Sequence, residues 1–296
     1  MGPMRIGLLR VLGLILVMPA CGGDVPSTEA TAPASSSLAT APASSSVVDS
    51  PPSADRTPWP TELDATHQRW TVRVVERLPH DAAAFTQGLE MTDRGLLEST
   101  GVRGESTLRL VDADSGTVIE RLDLESGLFG EGLTVSRGEI IQLTYEAGRA
   151  LRYDGSSLEP SGEFAYDGEG WGICAADTEL WMSNGTSELI SRDPDTFEPL
   201  NRVTVRREGD PIDNLNELEC VGDHVVANVW KSNEILVIEP RSGVVVATID
   251  ASAVAAEIET LDDKAVLNGV ADLADGTLLL GGKRWPSFFV VELVGA

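Results

Sequence analysis

One residue in this chain is placed to move protons. Glu131 sits in Phe129-Gly-Glu-Gly, with a glycine on either side of it. A carboxylate flanked by glycines has an accessible backbone and admits close approach by a ligand. Around it the sequence offers aromatic surface. Of six Trp residues, Trp171, Trp181, Trp230 and Trp285 fall in short strand-like segments beside equivalent positions. Trp181 reads as packing, whereas Trp171, Trp230 and Trp285 exceed what a core requires. An aromatic box around a carboxylate suits an amine-bearing organic substrate, through stacking and cation–π contact. It also lowers the local dielectric and raises the carboxyl pKa toward the range useful for proton transfer.

Other chemistries lack their parts. The three His residues, His67, His80 and His224, show no metal-ligand spacing, and there is no Cys/His cluster and no nucleophile elbow. Zinc hydrolysis and a Ser-His-Asp triad are therefore poor readings. Acidic turns such as Asp193-Pro-Asp-Thr shape hairpins rather than bind calcium. No cofactor is expected for catalysis, and the sequence leaves open whether a structural ion occupies a channel.

What positions Glu131 is a repeat. Five segments have matching openings: Gln87-Gly-Leu, Glu131-Gly-Leu, Trp171-Gly-Ile, Asn216-Glu-Leu and Asn268-Gly-Val, spaced 44, 40, 45 and 52 residues apart. Each is followed by a second and a third strand-like segment, and in the first four units the third ends in an acidic turn. A period of this length built of short strands means propeller blades. Residues that open the innermost strands then meet at one rim of a central channel. The fold expected is all-β, a five-bladed β-propeller. Its last unit runs out of chain after three strands, and the alternating run Thr71–Leu78 supplies the fourth by pairing with 288–293. Closing the ring in this way hides two sheet edges.

The propeller spans residues 66–296. Residues 1–20 read as a signal peptide, with Arg5 and Arg10 before the apolar run Val11–Met18. The small residue before Cys21 resembles a bacterial lipobox, with Met18 where Leu is usual, so Cys21 is the expected lipidation site. The protein is then an exported cell-surface lipoprotein, attached to the membrane only through its acyl chains; the alternative is simple secretion. Residues 21–65 hold that Cys and an Ala/Ser/Thr/Pro tether too poor in large apolar groups to fold.

The formal charge is −25, nearly all of it on the propeller, which excludes a phosphate-binding surface and hence nucleic acid. The repeat-spaced Cys174 and Cys220 read as two buried thiols rather than a disulfide, because inner strands of different blades diverge outward; the exported compartment permits either state.

Eight strings carry a family resemblance: Phe85-Thr-Gln-Gly-Leu, Glu98-Ser-Thr-Gly, Phe129-Gly-Glu-Gly-Leu, Gly168-Glu-Gly-Trp-Gly, Leu215-Asn-Glu-Leu-Glu, Ala227-Asn-Val-Trp, Val266-Leu-Asn-Gly and Gly282-Lys-Arg-Trp-Pro. In order and spacing they resemble the plant and bacterial glutaminyl cyclases, five-bladed propellers unrelated to the zinc-dependent animal enzymes. The resemblance implies cyclisation of an N-terminal glutamine to pyroglutamate with loss of ammonia. It implies Glu131 as acid/base and Lys283 as oxyanion stabiliser. Gln87 and Asn216 would hold the side-chain amide, with Trp171 and Trp230 as walls. Asn268, Trp285 and Glu98 rank behind these; Glu98 lies in a second strand, from which it could tilt toward the rim. The chain departs from the family at Tyr145, where Trp is usual. The expected partner is a peptide with N-terminal Gln, and the expected state a monomer. Two rivals remain: a lipid-tethered propeller that binds a peptide or amine without turnover, and a metal-dependent propeller enzyme such as a lactonase. The second would need several carboxylates opening first strands, and Glu131 is the only one.

Overall fold

The computed structural model describes residues 67–258 and 262–295. The expected signal peptide, Cys21 and tether lie outside these residues. The chain is all-β and propeller-like. After β1 (Gln68–Pro79) come three antiparallel four-stranded meanders. The first is β2 (Thr86–Thr92), β3 (Gly95–Thr100), β4 (Thr107–Asp112) and β5 (Thr117–Asp123). The second is β6 (Gly130–Ser136), β7 (Glu139–Thr144), β8 (Arg149–Asp154) and β9 (Pro160–Ala165). The third is β10 (Ile173–Ala175), β11 (Leu180–Ser183), β12 (Glu188–Arg192) and β13 (Pro199–Thr204).

A small hairpin follows, β14 (Arg206–Arg207) with β15 (Asp210–Pro211). Then come β16 (Leu215–Val221), β17 (His224–Val229), β18 (Glu234–Glu239) and β19 (Val244–Asp250). A one-turn helix, α1 (Ser252–Ala255), precedes β20 (Leu267–Asp272), β21 (Leu278–Gly282) and β22 (Ser287–Gly295).

The N-terminal strand does pair with the last one. β1 runs antiparallel to β22 from Trp70↔Gly295 to Pro79↔Ser287, with a bulge between Val74 and Glu76. Its other edge pairs in parallel with β19, from Gln68↔Ala247 to Thr71↔Asp250. The last two units are thereby joined into one ten-stranded sheet, a seam that strand alternation alone did not foretell. Apolar residues of β1 and β22, including Trp70, Val72, Phe289 and Val291, are buried in the same cluster as Ile235, Val237 and Ile249 of β18 and β19. Pairing with β19 on one side and β22 on the other leaves neither edge of β1 open over the paired residues.

The first strands contact one another in the order β2, β6, β10, β16, β20 and back to β2. Their approach is very close, and this is what the recurrent glycines serve. A Cβ on Gly88 would lie 2.6 Å from Leu133 N; on Gly132, 2.7 Å from Gly172 Cα; on Gly172, 2.1 Å from Asn216 O. A Cβ on Gly130 would meet Thr100 O at 2.7 Å. The glycines beside Glu131 thus admit neighbouring protein backbone rather than a ligand, which corrects the expectation from sequence.

Cys174 of β10 and Cys220 of β16 form a disulfide, with Cα atoms 5.4 Å apart. This too corrects the expectation of free thiols. The divergence assumed for inner strands is small at this level, because Gly172 has already brought β10 against β16.

Candidate active site

The openings of four first strands share a local feature that re-aims side chains. The ladder register breaks between Thr86 and Gly88, Gly130 and Leu133, Leu215 and Leu218, and Leu267 and Val270. Gln87, Glu131, Asn216 and Asn268 fall in these four breaks. A bulge frees a residue from the pleat and turns its side chain out of the sheet face. Three of the four breaks coincide with an X-Gly pair in the sequence, and the fourth with Asn216-Glu217. Trp171 lies two residues ahead of β10, with its backbone N–H bonded to Ser183 O at 3.1 Å.

Three of the opening side chains form one buried amide relay. Asn216 Nδ2 donates to Asn268 Oδ1 at 2.7 Å. Asn268 Nδ2 donates to Gln87 Oε1 at 3.2 Å and to Thr86 O at 3.0 Å. Asn268, ranked low from sequence, is therefore the link between the two residues expected to hold an amide. Its commitments leave Gln87 Nε2 as a donor and Asn216 Oδ1 as an acceptor for a guest.

Glu131 is 5% exposed. Burial holds its carboxyl well above the usual carboxylate range; Lys283 pulls it back down, and Glu169 adds to the rise. Lys283, also buried, follows β21, its backbone N–H bonded to Val266 O at 2.9 Å. Burial pushes its ammonium down to about 8 against the attraction of Glu131. Lys283 Nζ lies 5.1 Å from the centroid of the Phe85 ring. The site thus sets a carboxyl held above its usual range beside an ammonium held below its own, perturbed groups of the kind that gather at functional sites.

The aromatic side chains form a continuous arc from one sheet to the next. Phe85 meets Phe129 at 6.1 Å between centroids, Phe129 meets Tyr145 at 6.1 Å, Tyr145 meets Trp171 at 6.4 Å, and Trp171 meets Trp230 at 5.6 Å. All four contacts are edge-on, the favourable geometry for aromatic quadrupoles. Trp171 is seated over Gly185, where a Cβ would fall 2.6 Å from its ring. Trp230 is 37% exposed and forms the open end of the arc. Lys231 Nζ lies 4.5 Å from its ring centroid.

Two sequence candidates lie elsewhere. Trp285 is 1% exposed, in the core against Phe289, its Nε1 donating to Ala265 O at 3.3 Å. It walls nothing. Glu98 does not tilt to the rim: it is locked behind it, with His80 Nε2 at 2.9 Å, Thr86 Oγ1 at 2.8 Å and Arg109 Nη1 at 3.7 Å. His80 Nδ1 in turn bonds Trp285 O at 2.7 Å. Glu98 and Trp285 hold the frame behind Gln87 rather than the pocket.

Sequence reasoning also passed over residues that matter. Phe85 and Phe129 were quoted only as motif flanks, yet they make one end of the arc. Glu169 accepts from Trp171 Nε1 at 2.9 Å. Glu217 stands where the other four openings have Gly88, Gly132, Gly172 and Gly269. Its carboxylate accepts from Val270 N at 3.0 Å and from Leu89 N at 3.3 Å, spanning two other first strands. The lack of glycine in that single opening was the available signal.

Comparison with known proteins agrees with this geometry. A family model described as glutamine cyclotransferase matches residues 44–293. The glutaminyl-peptide cyclotransferase of Arabidopsis thaliana is 34% identical over 238 residues, covering 79% of this chain and 74% of that one. The crystal structure of Myxococcus xanthus glutaminyl cyclase superposes with a TM-score of 0.75 at 34% identity, covering 78% of this chain and all of that one. A buried acid and lysine beside an amide relay, on a fold shared with a solved glutaminyl cyclase, place this chain in the glutamine cyclotransferase family.

Proposed function

We propose that this protein is a glutaminyl-peptide cyclotransferase, an acyltransferase that converts the N-terminal glutamine of a peptide to pyroglutamate and releases ammonia. The observation that carries the reading is the juxtaposition of buried Glu131 and Lys283 with the Asn216–Asn268–Gln87 relay. The neutral α-amine attacks its own side-chain amide carbon, so no protein nucleophile is required. Gln87 Nε2 donates to the amide oxygen and Asn216 Oδ1 accepts from the amide nitrogen, holding the side chain folded back on the amine. As the C–N bond of the ring forms, Lys283 steadies the negative charge growing on the oxygen. Glu131 takes the proton from the attacking nitrogen and delivers it to the departing one. The second C–N bond breaks, ammonia leaves, and Glu131 returns to its starting state. A carboxyl with a raised pKa is a strong enough base when ionised and a ready acid once protonated. The cycle calls on no metal.

The closed ring of five first strands supports five blades, with β1 completing the last. The Cys21 motif supports a lipid-anchored, exported protein working on peptides at the cell surface, and the charge of −25 argues against a nucleic-acid partner. A propeller that only bound an amine would have no use for Glu131 and Lys283 together in one desolvated pocket. Incubating the purified protein with a Gln-initiated dipeptide and assaying ammonia tests the reading. Release that requires a free N-terminal amine is expected; binding without ammonia would favour the non-catalytic propeller.

A further inference from the structure

Glu169 is a second carboxylate at this pocket, and the reaction as drawn does not use it. It belongs to Gly168-Glu-Gly-Trp, the loop between β9 and β10. The loop is pinned to the opposite wall, because Gly170 N donates to Tyr145 O at 3.0 Å. That bond sets Glu169 between the two rings at the middle of the arc. Trp171 Nε1 donates to its Oε2 at 2.9 Å, and the Tyr145 phenol lies close enough to feel the same carboxylate's charge. Tyr145 stands where the resemblance predicted Trp, so a phenol replaces an indole on that side of the carboxylate.

The charges along the arc are ordered. Lys283 lies over Phe85 at one end and Lys231 over Trp230 at the other. Between them Glu169 is partly exposed, with Glu131 buried and close enough to feel its charge. Two carboxylates and aromatic faces in the middle, with cations at both ends, describe a seat for a cationic group flanked by carbonyl oxygens. A peptide arrives in that form, since an α-amine titrates near 8 and is largely protonated at neutral pH.

We propose that Glu169, held by Trp171 beside Tyr145, is a specificity-determining residue that captures the protonated α-amine of the incoming peptide beside Glu131. The inference rests on the cyclase reading. Glu169 brings the ammonium to the pocket, its proton is lost to solvent before attack, and the neutral amine then meets an ionised Glu131. Blocked N-termini are then refused at binding, before chemistry.

The test uses ligands that cannot cyclise, so that it reads binding apart from turnover. Norvalyl-alanine and N-acetyl-norvalyl-alanine are titrated against the intact protein by tryptophan fluorescence, which Trp171 and Trp230 report. The wild type should bind the free-amine form about fivefold more tightly, as expected for a partly exposed charge pair. Glu169→Gln keeps an acceptor for Trp171 and removes the charge, and it should narrow that ratio to about twofold or less. The same variant should raise KM for a Gln dipeptide about fivefold with kcat nearly unchanged, and Glu169→Asp should restore part of the discrimination. An unchanged binding ratio in Glu169→Gln, or a fall in kcat with KM constant, overturns the proposal. Absence of ammonia from the wild type overturns the cyclase reading instead, and the binding ratio is measured whichever way that assay falls.

Discussion

Asn216 and Asn268 open the strands at the two ends of the ten-stranded sheet, β16 and β20, and are joined side chain to side chain at 2.7 Å. Because Asn268 also donates to Gln87, the free ends of the Gln87 and Asn216 amides are both decided by the residue between them. Asn268→Asp would keep the acceptor for Asn216 and lose the donor to Gln87, releasing that side chain to flip. We expect kcat/KM to fall by about 10- to 100-fold, the scale of a small misplacement of reacting groups. Steady-state kinetics on a Gln dipeptide, with circular dichroism to check folding, measures it. Activity within twofold of wild type would mean the relay does not orient Gln87.

Removing the proton carrier should cost more. Glu131→Gln preserves shape and should lower kcat by on the order of 10²- to 10⁴-fold, with KM moved little. Near-normal turnover in a folded Glu131→Gln protein would take Glu131 out of the mechanism.

Lys283 sets an upper pH limit. Its ammonium is charged below about 8 and neutral above, and only the charged form steadies the oxyanion. kcat should therefore decline as pH rises through about 8. Lys283→Arg keeps its charge to much higher pH, so whatever activity it retains should persist past pH 9. An identical alkaline limb in both proteins would assign that limb to another group.

Glu217 makes stability depend on pH in the opposite sense to an ordinary ion-paired carboxylate. Burial raises it to about 8, opposed by its bonds from Leu89 N and Val270 N and assisted by Glu90, itself raised to about 7 mainly by burial. A carboxyl whose folded value lies above its ordinary 4.5 holds its proton more tightly in the folded state. Its stabilising contribution is full below about pH 4.5 and is lost as pH climbs through about 8. The melting temperature should drop by roughly 5 °C or more between pH 5 and pH 9. In Glu217→Gln that slope should flatten, as scanning calorimetry across pH would record; a slope equal to wild type would exclude Glu217 as its source.

The Cys174–Cys220 bridge ties β10 to β16 across two sheets at a sequence separation of 46. The double Cys→Ser variant should lose about 2–4 kcal/mol in urea unfolding while retaining kcat, since neither sulfur lies on the aromatic arc. Unchanged stability would show that glycine-mediated strand packing alone holds that seam.

The sequence by itself determined the repeat and therefore which residues would share one rim. Strand alternation and a strand-opening motif are local, and a ring converts equal spacing into proximity without further information. That is why Gln87, Glu131, Trp171, Asn216 and Asn268 were legible as one set, and why β1 could be matched to β22. Three things were decided only by tertiary structure, because each depends on the distance between strands far apart in sequence. The glycines proved to be sites of backbone contact between neighbouring first strands, which no single strand reveals. The same closeness brought Cys174 to Cys220 and let Glu217 reach Leu89 and Val270. Side-chain direction was the last. Trp285 and Glu98 belong to motifs as strong as those of Trp171 and Glu131, yet the turn between β21 and β22 puts Trp285 in the core and the pleat of β3 puts Glu98 in the frame. The bulges turn Glu131 toward the channel, and the Gly170–Tyr145 bond sets Glu169 among the rings.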